Sequence, residues 1–253
     1  RLRITSAGKL LIGSTAARSE SNGFAAPLQV EGTSTATSSV IIARNSANAS
    51  SSQLIFQKSR GTSVGSNTVI QSGDAVGTII FEGSDGTNTD ALAKIIGACD
   101  GTPGTNDVPG RIEFHTTADG SASPTERMRI TSAGLFGLGT NSPSHHLHLS
   151  NNTNTDERLA VVNSNTGSSA RAAVKLQSDS STLDIYATSA AYSGVTGWGD
   201  AAVLSTGSGT SGGIIFNSQA SSSAIKFQMQ TNEKMRIDSS GRLLLGTSTY
   251  KSN

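Results

Sequence analysis

Three histidines lie within four residues of one another, in His145-His-Leu-His148. No other group in the sequence combines the residue types and spacing of a metal site. If this segment is a strand, successive side chains point to opposite faces, so His146 and His148 share one face. Imidazole nitrogens are common transition-metal ligands. His146 and His148 are therefore a candidate metal pair, and the alternative is that they are ordinary strand residues beside a solvated turn.

Glycoside hydrolysis is a second candidate chemistry, and it uses two carboxylates roughly 5–9.5 Å apart. The acidic residues in the middle of the chain are scattered in sequence: Glu82, Asp85, Asp90, Asp100, Asp107, Glu113 and Asp119. Most of them stand in glycine-rich stretches, where Asp favours the geometry of turns. We therefore predict no catalytic residue, no cofactor and no enzyme activity, and keep a polysaccharide-degrading enzyme as an alternative.

The aromatic residues Tyr186, Tyr192 and Trp198 lie within thirteen residues of one another, and Trp198 is the single tryptophan of the chain. Aromatic rings can bind sugars by stacking, so these three residues are a candidate glycan contact. Large aromatic side chains are more often buried than exposed. We favour the interpretation that they pack on their own unit or on a neighbouring copy.

The charge balance of the chain excludes some classes of partner. The 253 residues carry a formal net charge of +1, and 15% of them are charged. A nucleic-acid-binding domain would show a basic surplus, and a membrane helix would need about 20 consecutive apolar residues. We predict neither a nucleic-acid partner nor membrane insertion. The single cysteine, Cys99, is expected to pack as a small buried hydrophobe.

These candidate residues are set in a chain that repeats one phrase three times. Arg-Leu-Arg-Ile-Thr-Ser-Ala-Gly starts at Arg1, Arg-Met-Arg-Ile-Thr-Ser-Ala-Gly at Arg127, and Lys-Met-Arg-Ile-Asp-Ser-Ser-Gly at Lys234. A phrase that recurs along a chain indicates stacked modules rather than one closed globule.

The repeated phrase divides the chain into units. We predict repeat unit 1 over residues 1–126, repeat unit 2 over residues 127–233, and the start of a third unit over residues 234–253. We interpret the whole as a segment of a longer polypeptide.

The phrase has the pattern of a β-meander. Apolar and polar residues alternate in Ile225–Met229 and Lys234–Ile237, with a glycine-containing turn after the second segment. Alternation with a period of two predicts strands with one buried face. We expect the glycines of the three turns, Gly8, Gly134 and Gly241, to share one structural role.

The same alternation predicts where the side chains of the phrase point. Met235 and Ile237 are expected on the buried face. The arginine before each isoleucine, at Arg3, Arg129 and Arg236, is expected to point away from that face, into solvent or into ion pairs.

Short apolar clusters of the same kind recur throughout the chain and predict further strands. They are Leu28–Val30, Val40–Ala43, Gln53–Gln57, Thr78–Phe81, Lys94–Gly97, Arg111–Phe114, Leu147–Leu149, Leu159–Val162, Ala173–Leu176, Leu183–Tyr186 and Ile214–Phe216. Helix signals are scant, since only Thr89–Lys94 resembles a capped turn, and that segment can equally lead into a strand. We predict an all-β fold of short strands.

The core of such a chain is thin. Apolar residues make up 34% of the sequence, and short strands leave many open edges, which an isolated chain must protect. Closed symmetry removes these edges when several copies share one core. The composition therefore favours an oligomer of identical chains.

Several phrases together resemble the repeats of phage tail fibre and appendage proteins, especially those of phages with marine and cyanobacterial hosts. The matching phrases are Gly73–Phe81, Asp100–Gly104, Val108–Ile112, Thr116–Gly134 and Gly139–Pro143. In such proteins, repeats of this kind often precede an endosialidase-like intramolecular chaperone domain.

The resemblance implies a fold and a function. The fold is all-β, with elongated repeat modules of short strands (a β-meander, β-prism or triple-β-helix-like arrangement) completed by homotrimerisation. The function is that of a structural shaft segment of a trimeric tail fibre on the virion, which supports host-cell attachment. Its partners would be its own copies, other virion tail proteins and a host cell-surface glycan. A carbohydrate-degrading tailspike and a cellular surface adhesin are the alternatives.

A trimer would also complete the candidate metal pair. Around a threefold axis, His146 and His148 of three chains would present six imidazoles. That number suits an octahedral transition metal such as iron or nickel.

Overall fold

The protein is described by a computed structural model over residues 2–21, 23–151, 158–179, 181–196, 198–206, 210, 213–216 and 224–246. Within these residues it forms fifteen strands and one 3₁₀ turn, Thr35–Thr37. The prediction of an all-β fold is confirmed. No helix among these residues is long and apolar enough to cross a membrane.

The chain divides into two compact units, residues 1–157 and residues 158–253. This division follows spatial contacts rather than the repeated phrase. The repeat units over residues 1–126, 127–233 and 234–253 therefore stay a prediction, and residues 247–253 of the third lie outside the described residues.

The first unit contains a three-stranded sheet and a six-stranded sheet. The small sheet has the order β1-β2-β3, with bounds β1 Leu2–Ile4, β2 Leu10–Ile12 and β3 Leu28–Val30. Strands β1 and β2 are antiparallel, and β3 runs parallel to β2.

The six-stranded sheet has the order β4 to β9, as in the sequence. Its strands are β4 Ala75–Ser84, β5 Thr89–Cys99, β6 Gly110–Thr116, β7 Thr125–Ile130, β8 Phe136–Leu138 and β9 Leu147–Leu149. Its neighbouring strands are antiparallel except for β8 and β9, which are parallel. The arrangement of β7-β8-β9 therefore repeats that of β1-β2-β3.

The second unit contains two antiparallel three-stranded sheets in its described residues. One is formed by β10 Arg171–Ser178, β11 Ser181–Thr188 and β12 Ala202–Thr206. The other is formed by β13 Ile225–Met229, β14 Asn232–Ile237 and β15 Leu243–Leu245. This last sheet carries the third copy of the repeated phrase.

The turn of the repeated phrase has the same geometry in all three copies. Gly8, Gly134 and Gly241 have φ angles of 74°, 73° and 76°, which glycine adopts without steric penalty. The N–H group of each glycine donates to the carbonyl three residues earlier, at 2.9–3.0 Å. The expected common role of the three glycines is confirmed.

Four predicted strands are absent from the described chain: Val40–Ala43, Gln53–Gln57, Leu159–Val162 and Ile214–Phe216. For the single chain these predictions were wrong. A strand needs backbone partners on at least one side, and among the described residues no ladder partner is present for these four segments. The segment that resembled a capped turn, Thr89–Lys94, lies in β5.

The core is as thin as the composition indicated. Among the described residues, Leu11 and Cys99 are the large side chains that are fully buried. The accessible surface of the chain is 18801 Å², whereas a folded monomer of 25.8 kDa exposes about 10,500 Å². The burial expected for Cys99 is confirmed.

Candidate functional site

The register of the six-stranded sheet aligns apolar side chains into two rows on one face. Residues that lie directly opposite each other on paired strands point to the same face. The first row is Ile79, Ile95, Phe114, Met128, Leu138 and Leu149. The second row is Gly77, Gly97, Ile112, Ile130, Phe136 and Leu147. We call this surface the apolar face.

The apolar face is only partly covered in the single chain. Ile130 is 40% exposed and Leu147 55% exposed, and Ile79, Ile112 and Leu138 are exposed to a similar degree. A contiguous exposed apolar surface of this kind marks an interaction site in soluble proteins. At the end of the face near Gly77, part of the cover is the ring of Phe56, because a Cβ on Gly77 would lie 2.6 Å from Phe56 Cγ.

The other two sheets that carry the phrase show the same exposed apolar face. In the first sheet, Leu2 and Ile4 are exposed and lie opposite apolar residues of β2. In the last sheet, Leu243 and Leu245 are exposed and lie opposite apolar residues of β14. The exposed face is therefore a property of the repeated phrase.

The opposite face of the six-stranded sheet carries charged residues and is more covered. The row between the two apolar rows is Thr78, Ile96, Glu113, Arg129, Gly137 and His148. Glu113 is 7% exposed, and the side chain of Arg129 is 12% exposed. Arg129 thus points away from the apolar face and into ion pairs, as expected, and these ion pairs cover its guanidinium. Arg3, as expected, is exposed.

Ile237 needs a correction. It was expected on the buried face with Met235, but Ile237 is exposed in the single chain, whereas Met235 is half-buried. The side chain of Arg236, on the opposite face, is largely covered. The apolar pattern identified correctly which residues share a face, but the chain alone does not bury that face.

Six residues form a charge cluster on the covered face: Asp100, Arg111, Glu113, His115, Glu126 and Arg129. Glu113 is at its centre. Its Oε1 accepts a hydrogen bond from Arg111 Nε at 2.5 Å and its Oε2 accepts one from His115 Nε2 at 2.9 Å. Arg129 Nη2 lies 3.6 Å from Glu113 Oε1. A buried carboxylate is stable only when it is paired in this way.

The environment of Glu113 favours its ionised form. Burial raises the pKa of the Glu113 carboxyl. The hydrogen bonds from Arg111 and His115, with the charges of Arg111 and Arg129, outweigh burial and hold that pKa below its ordinary value. The general acid of a glycosidase needs a raised pKa, and the pKa of Glu113 is lowered instead.

Asp100 anchors the charge cluster to the turn of the repeated phrase. Its Oδ1 lies 3.3 Å from Arg111 Nη1, and its Oδ2 accepts a hydrogen bond from the Ser132 N–H at 2.8 Å. Burial raises the pKa of the Asp100 carboxyl, but the hydrogen bonds from Ser132 and Arg111 have a larger, opposite effect. The pKa of Asp100 therefore lies below its ordinary value. The cluster therefore links the loop after β5 to the turn after β7.

A β-bulge brings Glu126 and Arg129 to the same face of β7. In a regular strand, residues three apart point to opposite faces. Here Glu126 pairs with His115 and Met128 with Phe114, so Arg127 is left without a partner in the ladder. The extra residue shifts the alternation of side chains by one position, so that Glu126 and Arg129 point to the same face. Arg129 binds both carboxylate oxygens of Glu126.

Three members of the charge cluster have the residue types of a metal site. Ligand atoms of Glu113, His115 and Glu126 lie within 4.8 Å of one another. Both carboxylates are already paired with arginines, whose positive charges oppose a cation at the same place. The geometry is that of an ion-pair network.

Sequence reasoning did not find this cluster. The signal was the alternation in Arg111-Ile-Glu-Phe-His115, where charged residues occupy every second position of a strand. Such a pattern indicates one charged and one apolar face.

The structure places the histidines of the candidate metal pair at the edge of the same sheet. His148 lies in β9 and pairs with Gly137, and its Nδ1 accepts a hydrogen bond from the Ser144 N–H at 3.3 Å. His146 is exposed and precedes the strand, and the ring of His148 lies 6.0 Å from that of His145 between centroids. A metal held by His146 and His148 of several chains stays a prediction.

The aromatic candidates lie in the second unit. The rings of Tyr186 and Trp198 are 5.9 Å apart between centroids, and the Arg171 guanidinium carbon lies 4.9 Å from the centroid of Tyr186. Burial and the hydrogen bond with Asp184 raise the pKa of Tyr186. Tyr192 is half-buried in the loop that follows. Packing of Tyr186 with Trp198 is therefore present in the single chain, and glycan contact by these residues stays a prediction.

Comparisons with known proteins give two similar solved structures. The carboxy-terminal domain of the bacteriophage T5 L-shaped tail fibre has 10% sequence identity and a TM-score of 0.34, over 85% of this chain and 93% of that chain. The same domain with its intra-molecular chaperone domain has 10% identity and a TM-score of 0.35, over 85% of this chain and 64% of that chain. This chain thus spans less than two thirds of the longer one.

No protein-family model matches the sequence, and no curated protein matches it. The similar structures come from a phage tail fibre, the kind of protein that the phrases of the sequence resemble.

Proposed function

We propose that this chain is a structural shaft segment of a trimeric phage tail fibre or appendage on the virion, where it supports host-cell attachment. The observation that carries the proposal is the apolar face, which paired strands of one chain present to solvent in two continuous rows. Packing of identical copies around an axis would bury these rows. The number of three chains and the virion setting rest on the resemblance of the sequence phrases.

The accessible surface supports association. The chain exposes roughly 8,000 Å² more than a compact monomer of its mass would. Obligate interfaces bury about 2,000–5,000 Å² or more, so an assembly of several copies has enough surface to form. Burial of apolar area contributes about 25 cal/mol per Å², and this is the main source of stability that a chain with so small a core can use.

The repetition of the apolar face supports a shaft. Each of the three copies of the phrase carries the same exposed apolar face. Each module can therefore pack with its counterpart in the neighbouring chains. A series of equivalent interfaces transmits force along a fibre. In this proposal, other virion tail proteins hold the fibre, and a host cell-surface glycan is bound at its tip or along its side.

The mass of the purified segment in solution tests the proposal. Light scattering should give three times the chain mass of 25.8 kDa, and small-angle scattering should show a rod. A monomer, or an assembly of a different number of chains, would overturn the proposal.

A pair of variants tests the role of the apolar face. Leu138→Asp places a charge in the first apolar row and should abolish the trimer, because a buried unpaired charge is costly. Val64→Asp is the matched control, since Val64 is an exposed apolar residue outside the sheets, and this variant should keep the trimer. Equal masses for the two variants would show that the apolar face is not the interface.

A further inference from the structure

Two four-residue segments have the composition of buried strands and yet have no partner in the single chain. We call Val40–Ala43 and Leu159–Val162 the unpaired segments. Ile41 is 85% exposed and Val162 81% exposed. Within the described part of the chain, the backbone of neither segment makes a hydrogen bond. Unpaired backbone groups next to exposed β-branched side chains form a ready template for strand pairing.

The unpaired segments occupy equivalent places in the two predicted repeat units, residues 1–126 and 127–233. Val40 lies twelve residues after Leu28, the first residue of β3, and Leu159 lies twelve residues after Leu147, the first residue of β9. Both β3 and β9 are the parallel third strand of the repeated arrangement. The same apolar segment thus follows the same structural element twice.

We propose that the unpaired segments become strands by pairing with an edge strand of a neighbouring copy of this chain. The inference rests on the proposed function, because it assigns part of the contact between copies in the fibre. Strand addition at an open edge gives affinity through main-chain hydrogen bonds and specificity through alternate side chains. The edges of all four sheets are unpaired in the described chain.

The sequence repeat favours a second copy of the chain as the partner. The two unpaired segments start 119 residues apart, as do β3 and β9. A partner that engages both segments in the same way needs two equivalent edge strands, and an identical chain carries such a pair in β3 and β9. With a net charge of +1, copies of the chain repel one another little.

Hydrogen exchange of the assembled protein tests the inference directly. Amides of both unpaired segments should exchange about 100-fold more slowly than those of residues 46–52, which form a neighbouring loop. Amides of β5 provide the protected reference. The mass of the same sample, measured by light scattering, reports separately on the proposed function.

The outcomes separate the two ideas. A trimer with protected segments supports both. A trimer in which the segments exchange as fast as the loop overturns the inference and leaves the proposed function standing. A monomer overturns both, even with protected segments, because the partner would then lie within the same chain.

Two variants add a second test. Ile41→Asp and Val162→Asp replace side chains that are exposed in the single chain, so β4 and β5 should keep their protection. Each variant should lose the protection of its own segment, whereas Val64→Asp should change nothing. Full protection of the segment in Ile41→Asp would contradict the pairing of Val40–Ala43.

Discussion

Glu126 and Arg129 are held as a bidentate ion pair by a β-bulge at Arg127. Arg129 Nε and Nη2 each lie 2.6 Å from a different oxygen of Glu126. Glu233 and Arg236 repeat this pair in β14, at 2.5 and 2.6 Å, beside the equivalent register shift. The bulge and the ion pair therefore occur together in the second and third copies of the repeated phrase.

Arg129→Lys should lower the free energy of unfolding by about 1.5 kcal/mol. Lysine keeps the charge but cannot bind both oxygens of Glu126 at once, and a lost hydrogen bond to a charged group weakens the fold by about 1.5–3 kcal/mol. Arg127→Lys is the matched control, because Arg127 is exposed and donates to Thr116 Oγ1 at 3.1 Å. Chemical denaturation measures both, and an equal loss in the two variants would show that bidentate pairing is unimportant.

Stability at acid pH should depend on Glu113. Because the folded pKa of Glu113 lies below its ordinary value of 4.5, ionised Glu113 stabilises the fold at pH values above that ordinary value. This stabilisation is lost as pH falls through the folded pKa. The melting temperature should therefore be steady from pH 7 to about 5 and fall below that.

Glu113→Gln tests this assignment. The variant should melt at a lower temperature at pH 7, because the ion pair between Arg111 and Glu113 is lost, and its melting temperature should fall less steeply between about pH 5 and pH 3. Parallel acid profiles for the two proteins would show that other carboxylates carry the acid sensitivity.

Gly139→Ala should destabilise the protein more than Gly134→Ala, although both glycines have a φ of 73°. At Gly134 a Cβ meets nothing within 4 Å, so only the backbone penalty of about 1–2 kcal/mol applies. At Gly139 a Cβ would overlap the carbonyl oxygen of Ser150, the residue whose N–H donates to the Leu138 carbonyl and so continues the β8–β9 pairing. We expect a loss of about 3 kcal/mol or more.

Denaturation of the two glycine variants side by side measures this difference. If both variants lost the same free energy of unfolding, the positive φ angle alone would explain why glycine is needed at the two positions. The close approach of the chain after β9 to Gly139 would then have no effect.

The repeated meander could be predicted from sequence because its causes are local. Alternation placed Met128, Ile130 and their equivalents on one face, and the turn glycines followed from their neighbours. The charge cluster could not be predicted, because it depends on a register that a bulge at Arg127 sets. It also needs Asp100, which nine residues separate from the start of β6.

The unpaired segments show a different limit of sequence reasoning. Val40–Ala43 has strong strand propensity, but propensity states only that a residue fits a pleated, partly buried surface. Whether a strand forms depends on a partner, and the single chain does not supply one. The local signal identified residues that suit a strand, but it carries no information about whether a partner strand is present.

Tyr186→Ala should shift the fluorescence emission of Trp198 to longer wavelength. Trp198 is the single tryptophan, and removal of the neighbouring ring, 5.9 Å away, exposes the indole to water. Tyr186→Phe keeps the ring and should leave the emission unchanged, because aromatic packing depends on the ring. The same emission also reports on glycan contact. A saturable change on addition of host polysaccharide, absent in Tyr186→Ala, would show that the aromatic residues bind sugar as well as pack, whereas no change would leave packing as their role.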